Sequence, residues 1–347
     1  MGYTAATFVH REVPMLKTPL CHQLGIEYPI FSVGMGINMA GPELVAAVSE
    51  AGGCGVLGSG GLPAPIMREQ IRALRALTHK PFGVNIIMPM MQDGQVEVAI
   101  EEKVPFIVFF WGDPAPYIAA AHAAGVKVFL QVGSVEEGIA AAALGVDAII
   151  AQGIEAGGHV KSKTSLSTIV PALAEKLRPL PVIASGGIAN GRGIAAALSL
   201  GAQGVSLGTR FLATTEARVV EEYKRMIVAA RAEDTVYTSL FNLGWDNAEH
   251  RVLRNRDYNE WEAAGSAPPG QRPGEGTVIG TLEMFGTTVE IPKYSVTPPL
   301  IGYRGDLQQA ALYAGESVRL IDDIKPAGTV VRDLVRETEV VLAELSA

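Results

Sequence analysis

Eight short apolar runs punctuate the chain between residues 28 and 208. They are 28–34 (YPIFSVG), 54–59 (CGVLGS), 81–87 (PFGVNII), 105–110 (PFIVFF), 126–132 (VKVFLQV), 146–152 (VDAIIAQ), 181–187 (PVIASGG) and 202–208 (AQGVSLG). They are rich in Val, Ile and Phe and do not alternate with polar residues, which is how strands buried on both faces read. Between them lie segments with apolar positions at helical spacing, such as 41–52 (GPELVAAVSEAG) and 191–201 (GRGIAAALSLG). These end in glycine, as helix C-termini often do. Eight such β-α repeats, at roughly 20–33 residues each, predict an α/β fold of the (β/α)8 TIM-barrel type. An open doubly wound sheet is the alternative. The even spacing, with glycine or polar residues at nearly every strand end, favours the closed barrel.

The rhythm breaks between 234 and 305. That stretch holds SAPPGQRPGEG (266–276), TVIGTLEMFGTTVEIPKY (277–294) and TPPLIGY (297–303). Its middle reads as a hairpin or an excursion, and its flanks as loop. Helical pattern resumes at about 306 and runs, with a break, to the end. The expected organisation is an N-terminal arm (1–27), a barrel built from 28–233 together with 306–347, and an insertion or small cap (234–305). The insertion either packs over the C-terminal face of the barrel or is a plain surface excursion.

Composition narrows the class. Of 347 residues, 48% are hydrophobic and 18% charged, which is incompatible with an intrinsically unfolded chain. Thirty-nine glycines imply many sharp loops or close approach of backbone to a ligand. A net charge of −8 without a basic patch argues against nucleic-acid binding. Two cysteines, Cys21 and Cys54, cannot build a disulfide framework or a cysteine-rich metal site, so a reduced, cytoplasmic setting is expected. The N-terminus lacks a signal-peptide pattern, and Ala6 departs from the myristoylation signal. No apolar run is long enough to span a membrane. A homodimer is the base-rate expectation for assembly.

The sharpest motif is AQGIEAGGH (151–159), which begins at the end of the sixth apolar run. Gly157 and Gly158 remove side chains beside a flat or phosphorylated ligand and leave backbone N–H groups available. His159 follows, on the face where barrel enzymes keep catalytic residues, and a neutral imidazole there can exchange a proton near pH 7. The bland alternative is a histidine that only hydrogen-bonds its loop. His10, His22, His79, His122 and His250 lack such context and read as structural or solvated. Ser185-Gly186-Gly187 and Gly208-Thr209 follow the seventh and eighth runs, where TIM barrels commonly hold a phosphate. The alternative there is two tight turns. Gly34-Met35-Gly36, Asn85 and Gln131 lie at three more strand ends; amides both donate and accept, which suits the polar edge of a flavin ring. Asn85 sits inside an apolar run and must have a partner. The chain has no P-loop, no dinucleotide fingerprint and no HExxH or CxxC pattern.

Together these motifs resemble the nitronate monooxygenase (2-nitropropane dioxygenase) family of FMN-dependent TIM-barrel enzymes. The matching stretches are 34–58 (GMGINMAGPELVAAVSEAGGCGVLG), 80–86 (KPFGVNI), 151–160 (AQGIEAGGHV), 181–202 (PVIASGGIANGRGIAAALSLGA) and 204–214 (GVSLGTRFLAT). The resemblance implies that Met35, Gly36 and Asn85 contact the flavin, with Gln131 near it. It places Gln152 by the ribityl chain and Gly157 and Gly158 along the cofactor. Ser185, Gly186, Gly187, Gly208 and Thr209 would bind the phosphate, and His159 would be the catalytic histidine. The implied reaction is FMN-dependent oxidation of an alkyl nitronate by O2 to a carbonyl compound and nitrite. Alternatives are an NAD(P)H-dependent FMN reductase of a quinone or an enoyl thioester, and a flavin-binding sensor without turnover. The partners implied are a small-molecule substrate and O2.

Overall fold

Prolines set where the strands begin. Pro29, Pro81, Pro105 and Pro181 open four of the apolar runs and have no N–H to give a ladder, so each strand starts just after its proline. Their carbonyls still accept: Val205 N donates to Pro29 O (2.9 Å), Lys127 N to Pro105 O (3.1 Å) and Ile149 N to Pro181 O (2.9 Å). The computed structural model describes residues 16–346. Its eight parallel strands are Ile30–Ser32, Gly55–Gly58, Phe82–Ile87, Phe106–Phe110, Lys127–Val132, Ala148–Gln152, Val182–Ser185 and Gly204–Leu207. From the second strand to the eighth, each pairs with the next in chain order; the eighth pairs with the first, Val205 opposite Ile30. The ring closes between the first two strands at the Phe31–Cys54 bridge, where Cys54 N donates to Ile30 O (2.8 Å) and Ser32 N to Cys54 O (3.1 Å). The architecture is the (β/α)8 TIM barrel, and the open sheet is excluded.

Strand periodicity then grades the barrel interior from apolar to polar. Phe106 stacks on Phe129 at 4.5 Å, and Phe31, Ile150 and Ile183 join the same buried cluster. The short helix Pro19–Leu24, from the described part of the N-terminal arm, adds Leu20, Cys21 and Leu24 to it and plugs the bottom of the barrel. Two residues further along the strands, the same inward face carries Gln131, Gln152, Ser185 and Ser206. The bottom is therefore a packed core and the top a polar floor.

The helices between strands are capped as their sequences suggest. Ser134 accepts from Glu137 N (3.1 Å) and Asn190 from Gly193 N (2.9 Å). After the eighth strand the chain leaves the barrel and returns with helix Ala327–Leu345, packed on helices Gly191–Ser199 and Pro42–Glu50. Residues 234–305 hold two small sheets. Strands Thr235–Thr238 and His250–Leu253 pair antiparallel, and the second also pairs with the two-residue strand Gly158–His159. The hairpin Val278–Met284/Thr287–Pro292 adds Tyr303–Gly305 on its other edge. The helical pattern expected from about 306 starts at Ala327, and residues 307–309 and 316–320 form isolated 3-10 turns. Pro326 explains the boundary: extended at ψ 137°, it admits the helix only after itself, and the Glu216 carboxylate accepts from Ala327 N (3.1 and 2.9 Å) to cap it.

Candidate active site

A single cavity at the C-terminal ends of the strands collects every residue singled out from the sequence. Met35 and Gly36 follow the first strand, Asn85 lies on the third and Gln131 on the fifth. Gln152 closes the sixth strand, and Gly157, Gly158 and His159 lie on the loop beyond it. Ser185, Gly186 and Gly187 follow at the seventh, and Gly208 and Thr209 at the eighth.

One end of the cavity is a cradle of hydroxyls and glycine backbone. Gly186 and Gly187 have φ of 115° and 68°, a left-handed pair that other residues rarely adopt. The hydroxyl of Ser185 has no hydrogen-bond partner among the described residues, although the residue is buried. Thr209 Oγ1 accepts from Gly315 N (3.0 Å), leaving its own proton to donate. That bond draws the turn Glu316–Leu320 over the cradle and brings in Ser317, another buried hydroxyl without a partner among the described residues. Gly157 must be glycine because a Cβ there would strike the Ala314–Gly315 backbone. The donors fit a phosphate monoester: several neutral O–H and N–H groups converge, and among the described residues no carboxylate lines the cavity.

The middle of the cavity carries the amides. Asn85 Nδ2 donates to Gly34 O (2.8 Å), the partner its burial demands. Gln131 has no protein partner among the described residues. Gln152 lines the wall, but both ends of its amide serve the histidine loop: Nε2 donates to His159 O (2.9 Å) and Oε1 accepts from Lys161 N (3.0 Å). It is a positioning residue for His159 rather than a free ligand group. Glu155, in the same motif, accepts from Leu166 N with both oxygens (3.1 Å each) and caps the helix Leu166–Lys176.

His159 stands at the other end. Its ring lies against Trp245 with centroids 4.0 Å apart, and Tyr313 and His250 approach to 5.4 Å each. Nε2 is buried and has no hydrogen-bond partner among the described residues. Burial, reinforced by His250, holds its pKa well below the ordinary histidine value, so the imidazole is neutral at pH 7. The resting form of His159 is therefore the neutral imidazole, and a proton gained there must be held transiently. His250 is fully buried, and both its nitrogens are committed. Nε2 accepts from Phe241 N (3.2 Å), which leaves Nδ1 to donate to Ala248 O (3.0 Å). Burial lowers its pKa to about 4.

Sequence reasoning passed over Trp245, Tyr313 and Ser317. All three follow the eighth strand, in segments with no periodic signal. The stretch 244–256 (GWDNAEHRVLRNR) matches no motif with an assignable role; its tryptophan and histidine, five residues apart, are the signal that could have found Trp245, and nothing comparable marks Tyr313 or Ser317. Among the described residues no cluster of His, Cys, Asp or Glu could hold a metal. No helix is long and apolar enough to cross a membrane.

A sequence model of the nitronate monooxygenase family matches residues 17–93 and 90–337. A Mycobacterium tuberculosis protein named (3aS,4S,5R,7aS)-5-hydroxy-7a-methyl-1-oxo-octahydro-1H-indene-4-carboxyl-CoA dehydrogenase is 38% identical over 73% of this chain and 70% of its own length. A nitronate monooxygenase of Paraburkholderia phytofirmans is 32% identical over 95% of this chain and 97% of its own. The solved structure of FabK from Thermotoga maritima superposes with a TM-score of 0.80 at 35% identity, covering 95% of this chain and 98% of that one. The family match spans nearly the whole barrel and the segments that cover it, and the chain belongs to the nitronate monooxygenase family of flavin-dependent oxidoreductases.

Proposed function

We propose that this protein is an FMN-dependent enzyme that oxidises alkyl nitronates with O2 to a carbonyl compound and nitrite, and that His159 generates the nitronate from the neutral nitroalkane. The observation that carries this reading is the buried, unpartnered Nε2 of a neutral His159 on the cavity wall. A neutral imidazole with a free nitrogen can accept a proton, and its enclosure keeps that nitrogen from being occupied by water. Ser185, Gly186, Gly187, Gly208 and Thr209 would hold the FMN phosphate, with Ser317 above them. Met35, Gly36, Asn85 and Gln131 would lie along the ring system, and Gly157 and Gly158 would let backbone approach it. When bound, the flavin supplies the electron transfer between substrate and O2. Gln152 holds the backbone carbonyl of His159, and Trp245 holds its ring, so the base meets the substrate carbon in one orientation.

A second reading is redox chemistry on an acyl thioester with a pyridine nucleotide. The relative named as a carboxyl-CoA dehydrogenase favours it, being more identical in its aligned part than the nitronate monooxygenase. Anaerobic mixing of the yellow protein with a nitroalkane, a nitronate, NADH or NADPH separates the two. Bleaching by the nitro compounds alone supports the first reading. Rapid bleaching by a pyridine nucleotide, with none by nitro compounds, overturns it in favour of the second.

A further inference from the structure

Two segments flank the cavity: the histidine loop, 153–160, and a strap, 313–320, that crosses the phosphate cradle. Arg251, on strand His250–Leu253, holds both. Its Nη2 donates to Ile154 O (3.0 Å) on the loop and pairs with Glu316 Oε1 (3.0 Å) on the strap. Its backbone stands opposite Gly158, and its carbonyl accepts from Ala314 N (3.3 Å). The guanidinium also lies over the Tyr237 ring, whose hydroxyl donates to Val160 O (3.2 Å), just beyond His159. Arg251 is buried, and neither it nor Glu316 lines the cavity, so both act on a bound molecule only through the segments they hold. The loop and the strap also touch. Glu316 N donates to Glu155 O (3.0 Å), and a Cβ on Gly315 would come within 2.8 Å of Gly157 N. In packing that close, one segment does not shift without the other.

We propose that Arg251 is a positioning residue that makes filling of the phosphate cradle and ordering of the histidine loop a single event. The inference rests on the reading that the cradle holds the FMN phosphate and that His159 is the base. A phosphate held by Thr209 and Ser317 fixes the strap. The strap, through Glu316 and Arg251, then fixes the backbone on both sides of His159. The conformational entropy of the two segments is lost once, at cofactor binding, and the coupling acts equally in both directions. Arginine suits the role because one planar fork serves several acceptors.

The test uses the full chain, stripped of flavin and reconstituted with FMN. Fluorescence titration gives the dissociation constant, and hydrogen exchange of amides 154–160 in the FMN-saturated protein reports the loop. Ile154 N donates to Thr164 O (2.9 Å) and Val160 N to Glu249 O (2.8 Å), so their exchange requires the loop to open. Glu316→Ala alters the strap alone, and Arg251→Met removes the tie but keeps an apolar stem. Each should raise the dissociation constant about fivefold or more, and at saturation should leave the loop amides exchanging faster by a similar factor. FMN uptake that protects 185–187 and 208–209 as in the wild type, with loop exchange unchanged in both variants, overturns the inference and leaves the cofactor reading intact. Weaker FMN binding without faster loop exchange overturns it too, since the strap would then act on the cofactor alone. A wild-type protein that takes up no FMN, or takes it up without protecting 185–187 and 208–209, overturns the cofactor reading and this inference with it. If circular dichroism shows Arg251→Met unfolded, Glu316→Ala decides, because Glu316 is the exposed end of the pair.

Discussion

The imidazole of His159 lies flat on the indole of Trp245, their centroids 4.0 Å apart and their planes 22° from parallel. One ring comes from the loop after the sixth barrel strand and the other from the segment that leaves the barrel after the eighth. The backbones are joined as well, His159 opposite His250 in a short antiparallel pair. The excursion thus both aligns the histidine and shuts water away from it. The depressed pKa of His159 is the electrostatic expression of that enclosure.

Trp245→Ala should loosen this control. With the indole gone, water reaches the imidazole and its pKa rises toward the ordinary value near 6.5. Proton abstraction needs the neutral form, so wild-type kcat/KM on a neutral nitroalkane should stay level from pH 8 to well below pH 6.5. The variant's should fall below about pH 6.5. Superimposable pH profiles would show that the stack does not set the protonation of His159.

His159→Asn should keep flavin and lose turnover. Removing a general base costs about 10²–10⁴-fold in rate. The loss should fall mainly on the neutral nitroalkane, because a preformed nitronate has already given up its proton. Steady-state rates with both forms check this, and an equal loss on both would point to charge stabilisation instead.

The phosphate cradle can be tested through binding alone. Ser185→Asp and Thr209→Asp each set a carboxylate against a phosphate dianion and should lower flavin occupancy while the far-ultraviolet circular dichroism stays native. Ser317→Ala removes one donor to a charged group, a change of about 1.5–3 kcal/mol, and should weaken reconstitution of the apoprotein by about tenfold or more. Fluorescence titration with flavin reads both. Full occupancy in all three variants would place the phosphate elsewhere.

The flavin released by heat should be FMN by mass spectrometry. The cradle at the seventh and eighth strands offers one phosphate site, and the chain carries no dinucleotide fingerprint. FAD as the main species would contradict the assignment.

His250 should make the fold acid-sensitive above the range where carboxylates titrate. Its pKa is about 4 in the folded chain, against about 6.5 when unfolded. Between those values the unfolded chain binds the proton and the native one does not, so stability is complete above pH 6.5 and falls as pH drops toward 4. At pH 5 the loss from this group is about 2 kcal/mol. Urea unfolding midpoints at pH 7.5 and 5 measure it. His250→Gln, neutral throughout, should shrink that difference by the share of His250, while the buried His159 keeps a share of its own in the same direction; an unaltered slope would assign the acid sensitivity to other groups.

The barrel was legible in the sequence because its cause is local and repeated. Strands buried on both faces need unbroken apolar runs, and helices between them need apolar positions at helical spacing. Both patterns can be read without knowing what touches what. The strand-end residues were legible for the same reason. In a (β/α)8 barrel, chain position alone puts Asn85, Gln131, Ser185 and Thr209 on one rim, and all four line the one cavity. The tertiary structure decided what lies over that rim. Trp245, Tyr313 and Ser317 sit in segments without periodicity, and only long-range contacts bring them to the site: the strand pair at His159 and His250, and the bond from Gly315 N to Thr209 Oγ1. It also decided the protonation state of His159. A motif shows that a histidine is present, but its pKa depends on desolvation, which is a property of everything packed around it. The role of Gln152 followed the same rule, since the sequence placed the amide at a strand end and the fold committed both of its ends to the histidine loop.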